Sequence, residues 1–101
     1  MADPVLIEAS ARPAPVMGGT KTLNGSTSQL VKGVDGMLAG IFVASASNTP
    51  TIKLWDSTAA SGTVLINTFV PSPGWYAMPF RFSTGLYITV GGTIDYTISY
   101  S

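Results

Sequence analysis

The chain has 101 residues, 46% apolar and only 10% charged, with five Lys or Arg balanced by five Asp or Glu and no histidine or cysteine. That length is one domain, and the missing imidazoles and thiols exclude Ser-His-Asp and Cys-His nucleophilic arrangements, disulfides and any metal site built on His or thiolate. An average soluble domain is about 25% charged, so either Ser, Thr, Asn and Gly carry the solvation here or part of the surface faces another protein.

Residues 1–20 differ from the rest. Pro4, Pro13 and Pro15 punctuate them and Gly18-Gly19 close them. Proline pushes its predecessor toward extended geometry, and Val5-Leu6-Ile7 has strong β preference. This predicts an N-terminal arm over 1–20. It either pairs with a neighbouring chain through Val5, Leu6 and Ile7 or forms a first edge strand with a proline-bent entry. Residues 21–101 form the β-domain.

Within that domain, Lys21-Thr22-Leu23 leads into a turn dipeptide at Asn24-Gly25. Thr27 to Val31 reads as a polar strand or loop, and Lys32 to Gly36 as a turn. Met37 to Ala44 is apolar on both faces, which predicts a central strand covered on both sides, with Gly40 marking a bulge or a close backbone approach. Ser45 to Pro50 reads as a loop. Thr51 to Asp56 alternates, with Ile52 and Leu54 on one face and Lys53 and Trp55 on the other. A Ser/Ala/Gly loop from Ser57 to Thr63 precedes a strand from Val64 to Val70. Pro71 to Gly74 is a turn, and Pro79 confines the strand from Trp75 to Phe80 to an edge or a bulge. From Gly85 to Ser101 two alternating runs flank Gly91-Gly92, which predicts a β-hairpin. The fold class is all-β: a small antiparallel β-sandwich or jelly-roll-like barrel with an extended N-terminal arm.

No catalytic, cofactor-binding or metal-ligating residues are expected. Asp3, Glu8, Asp35, Asp56 and Asp95 are far apart in sequence and none sits in a calcium-loop pattern. A glycosidase dyad would need two of them to meet in a cleft, normally on a larger scaffold. Asp56 fits an Asx-type turn with Ser57 and Thr58, and Asp95 fits a solvated position. The segment Met17 to Thr22 lacks phosphate-loop spacing. Arg12, Lys21, Lys32, Lys53 and Arg81 are scattered singly, which argues against nucleic acid. No basic amphipathic helix and no membrane-length apolar run is present. The first residues lack the pattern of a signal peptide, so the expectation is a soluble protein made in the cytoplasm.

The aromatic residues carry the functional question. If Trp55, Trp75 and Tyr87 are exposed together, they can anchor a protein partner or stack on sugar rings. Otherwise they belong to the core or plug its ends.

The stretches Ile52 to Ser57, Phe69 to Tyr76, Pro79-Phe80 and Gly85 to Tyr100 resemble, in pattern, small structural proteins of tailed bacteriophages. The resemblance implies a non-enzymatic decoration or cement protein without cofactor, made in the host cytoplasm and seated on the capsid surface of the virion. Its partner would be the major capsid protein lattice, and it would assemble as a homo-oligomer, with a trimer favoured. It transfers no residue role; Val5, Leu6, Ile7, Trp55, Trp75 and Tyr87 are the partner-binding candidates read from the residues themselves. The alternative is a carbohydrate-binding or fibre-tip β-sandwich module that uses exposed Trp and Tyr.

Overall fold

The alternating runs of the sequence build two unusually long strands, and everything else is arranged on their outer edges. A computed structural model describes residues 20–101; Val5, Leu6, Ile7 and nearly all of the arm lie outside them. The strands are β1 (Lys21–Gly25), β2 (Gln29–Lys32), β3 (Gly36–Asp56), β4 (Thr63–Phe69), β5 (Gly74–Phe82) and β6 (Leu86–Tyr100). All pairings are antiparallel and join the six strands into one continuous sheet. Among the described residues there is no helix.

β3 and β6 pair along nearly their whole length, from Leu38↔Tyr100 to Trp55↔Tyr87. Each then has one free edge, shared by two shorter strands. β5 covers the first half of β3 and β4 covers the second. β1 covers the second half of β6 and β2 the first. The result is two four-stranded layers, β1–β6–β3–β5 and β2–β6–β3–β4, in which the same two long strands form both centres.

The layers face each other because both long strands bend at mid-length. Ser47 pairs with Thr93 and Thr51 with Gly91, so three residues of β3 oppose one of β6. Two of those three, Asn48 and Thr49, have φ of +59° and +49°, the left-handed region that few residues other than glycine, Asn and Asp adopt. Opposite them Gly92 has φ +74°, and a Cβ there would come within 2.8 Å of the Pro50 Cα. Gly92 is therefore required twice, for its dihedral and for the space it leaves. The Asn48 amide donates to the Thr93 hydroxyl at 3.1 Å across the bend.

Folding the ribbon over brings its apolar rows together. Leu38, Ile41, Val43, Ile52 and Leu54 of β3 join Leu86, Ile88, Ile94, Tyr96 and Ile98 of β6, with Met78 and Phe82 of β5, in a single buried cluster. Each such aliphatic side chain contributes about 1.5–3 kcal/mol relative to an exposed one. Contacts between layers pin the arrangement. The Phe69 and Tyr76 rings, one from each layer, lie 5.5 Å apart, and the Tyr76 hydroxyl both accepts from Ser72 N–H and donates to its carbonyl.

Four expectations are corrected. Gly91-Gly92 is not a hairpin turn: β6 runs through it, and its two halves pair with β3 instead of with each other. Ser45 to Pro50 stays within β3 as the bend. Asn24-Gly25 ends β1 as strand residues, and the chain turns after them. Finally, Met37 to Ala44 is central but its second face is covered only in part: Ala39 and Gly40 are buried, whereas Met37 and Phe42 are exposed. Among the described residues Pro79 does lie in an edge strand, at the register shift opposite Leu38 and Gly40.

Candidate functional site

Cross-strand partners point to the same side of a sheet, so the register alone defines what each outer face presents. On the outer face of the β2–β6–β3–β4 layer the pairings Leu30↔Tyr87, Tyr87↔Trp55 and Trp55↔Val64 form one row across all four strands. Leu30 is 46% exposed and Val64 39%, while Trp55 and Tyr87 are half-buried between them. The neighbouring inner row, Gln29–Ile88–Leu54–Ile66, belongs to the core side. The alternation of β3 and β6 thus sends four apolar side chains outward where a solvated face would carry polar ones.

Trp55 is held firmly. Its indole N–H donates to the Thr89 hydroxyl at 2.9 Å, and the Lys53 ammonium lies 4.4 Å from its ring centroid, a cation–π contact. The lysine occupies one face of the ring and leaves the row's chemistry apolar with a single positive charge at its side.

The opposite outer face carries a second row. Asn24↔Thr97, Thr97↔Phe42 and Phe42↔Trp75 cross β1, β6, β3 and β5. Phe42 is 46% exposed and Trp75 51%. The indole crosses above Gly40, where a Cβ would lie 2.6 Å from its ring. The close approach expected at Gly40 is therefore to an aromatic side chain and to the Tyr76 carbonyl. Beside this row lies an open cleft lined by Asn24, Gly25, Ser26, Ala44, Asp95, Tyr96 and Thr97.

Of the aromatic candidates, Trp55 and Tyr87 are therefore brought together as direct partners, while Trp75 stands on the other side of the sandwich. Val5, Leu6 and Ile7 lie outside the described residues. Sequence reasoning missed Leu30, Val64, Phe42 and Asn24, because only the register shows which residues stand beside an outward aromatic. Phe42 had one usable signal: between Ile41 and Val43, strict alternation sends it to the opposite face.

The carboxylates do structural work. Asp56 does not form the expected turn with Ser57 and Thr58. Its carboxylate accepts from the backbone N–H groups of Ser83 at 3.0 Å and Thr84 at 2.8 Å, and from the Ser83 hydroxyl at 3.4 Å. Desolvation at this position pushes its pKa up, but the Ser83, Thr84 and Gly85 N–H groups and the Ser83 hydroxyl together outweigh this and hold it below the usual carboxylate value. Asp95 is exposed and accepts from the Ser45 hydroxyl at 3.0 Å. Among the described residues no group of three Asp or Glu is placed to hold a metal ion.

No family model matches this chain, and no curated protein or solved structure matches it.

Proposed function

We propose that this protein is a non-enzymatic structural module that fastens to a larger protein lattice, and that the lattice is the outer shell of a tailed-phage capsid built from its major capsid protein. The observation that carries the reading is the apolar row Leu30–Tyr87–Trp55–Val64, spanning the full width of one layer. Soluble monomers rarely expose contiguous apolar patches larger than a few hundred Å², and apolar rows rimmed by polar residues are surfaces that contacts use. The pattern resemblance to small phage structural proteins supplies the kind of partner.

Four strands are about 15 Å across at ordinary strand spacing. One such row makes a small contact, well short of the roughly 800 Å² per partner of a stable pairwise complex. A weak contact repeated over a lattice, or through a trimer of this chain, gains avidity without catalysis. The low charge fits the same role, because few ionic groups need desolvation on docking.

Sedimentation with shells assembled from a tailed-phage major capsid protein is the test. Saturable co-sedimentation, abolished by Leu30→Glu without loss of fold, supports the reading. Protein that stays in the supernatant at every ratio overturns it.

A further inference from the structure

We propose that the cleft beside Asn24 and Asp95 is a binding site for a neutral, hydroxyl-rich glycan, with Phe42 and Trp75 as its stacking platform. The site lies on the layer opposite the proposed lattice contact, so the two proposals stand or fall separately.

The polar end of the site is half-satisfied. Asp95 takes the Ser45 hydroxyl on Oδ2 at 3.0 Å, and its Oδ1 accepts nothing among the described residues. Asn24 Oδ1 accepts from the Thr97 hydroxyl at 2.6 Å, which fixes the amide and leaves its NH₂ group without an acceptor among the described residues. Asn24 and Thr97 are cross-strand partners, and Asp95 is two residues before Thr97 on the same face of β6, about 7 Å along the strand. An oriented acceptor and an oriented donor therefore border one cleft, with the Ser26 hydroxyl on its rim. Vicinal sugar hydroxyls suit such a pair, because each hydroxyl both donates and accepts.

The apolar end is continuous with it. Thr97, which lines the cleft, is also the partner of Phe42, and Phe42 is the partner of Trp75. A sugar that hydrogen-bonds at Asp95 and Asn24 thus has aromatic surface in the next two strand positions, on which the C–H face of a pyranose can pack. Trp55 does not offer this, because Lys53 covers one face of its ring.

The charges narrow the ligand class. No Lys or Arg lines the cleft, so nothing there neutralises a phosphate, sulfate or uronate. A single carboxylate also falls short of the ligand set of a divalent cation.

The test is a ¹H–¹⁵N NMR titration of the protein with maltotriose, cellotriose, chitotriose and mannotriose. The expected result is millimolar binding of at least one, with shifts confined to the Asn24 side-chain amide, Thr97 and the Trp75 indole N–H. Asp95→Asn and Trp75→Ala should each weaken that binding at least tenfold, and Trp55→Phe should leave it unchanged. Silence of those signals with all four sugars, or binding that survives both substitutions, overturns the proposal.

Discussion

The Asp56 carboxylate caps the turn that follows β5, accepting from the Thr84 N–H at 2.8 Å, although twenty-eight residues separate the two. Asp56 ends the second half of β3, whereas Phe82, just before that turn, pairs with Gly36 at the start of the first half. One carboxylate thus ties together the two ends of the strand that makes both layers.

Replacing Asp56 by Ala strands two well-placed backbone donors and should cost about 1–2 kcal/mol, since water reaches part of this site. Urea denaturation at neutral pH measures it. The pH dependence has a defined sign. The folded-state pKa lies below the unfolded one, which is about 3.9. The contribution is therefore complete above that value and is lost as pH falls through the lower, folded-state pKa. Asp56→Asn should flatten the acid limb of the stability curve, and an unchanged acid limb would contradict the assignment.

Tyr96 connects the layers through a buried hydroxyl, which donates to the Thr27 carbonyl at 2.6 Å and accepts from the Gln29 amide at 2.9 Å. Tyr96→Phe should cost about 1–3 kcal/mol, because both partners lose their match in a mostly dry place. Tyr87→Phe, on the outer row, should change stability by less than about 0.5 kcal/mol. Burial raises the Tyr96 pKa and the Gln29 hydrogen bond lowers it by less, leaving it above 10. Its contribution is therefore full below pH 10 and lost as pH rises through the folded-state value. Alkaline unfolding of wild type against Tyr96→Phe checks this.

The bend yields a pair of opposite predictions. Gly92→Ala should destabilise by more than about 2 kcal/mol, from a left-handed dihedral together with collision against Pro50 and Asn48. Thr49→Asn should instead gain up to about 1 kcal/mol, since Asn tolerates the positive φ that a β-branched residue resists. Gly33→Ala is the control: its Cβ would meet only Leu30 Cδ2 at 3.9 Å. Thermal melts of the three variants decide whether the corner carries strain.

The outer rows should be separable from stability. Leu30→Glu and Val64→Glu alter exposed positions and should shift folding free energy by no more than about 0.5 kcal/mol. Ile88→Ala, in the row beneath, should cost about 2–5 kcal/mol. Equal losses from Leu30→Glu and Ile88→Ala would mean that the row is core and not surface.

Much of the fold was legible in the sequence, because alternation writes burial directly. Leu86, Ile88, Ile94, Tyr96 and Ile98 lie inward as the pattern predicts, and the loop after Asp56 and the Pro71–Gly74 turn fall where glycine, serine and proline put them. What alternation cannot say is which strand pairs with which. Two glycines between two strands serve a hairpin and a bend equally well, and the difference here is made by Asn48 to Pro50, some forty residues earlier. The same gap hid the functional rows. Trp55 and Tyr87 each announced an outward aromatic, but their adjacency, and the distance of Trp75 from both, exist only once β3 and β6 are in register.

Among the described residues β6 comes after the five other strands, yet it is central to both layers. Before Leu86 to Tyr100 leave the ribosome, β1 and β2 lack their pairing partner among the described strands and the inner face of β3 lacks the β6 side chains that pack on it. Synthesis therefore holds an incomplete, sticky intermediate until β6 arrives, and pairings such as Lys21 with Tyr100 close loops of nearly the whole described domain. Such contact order favours slow folding, so yield during expression should respond to temperature and chaperone supply more sharply than the stability of the finished protein would suggest.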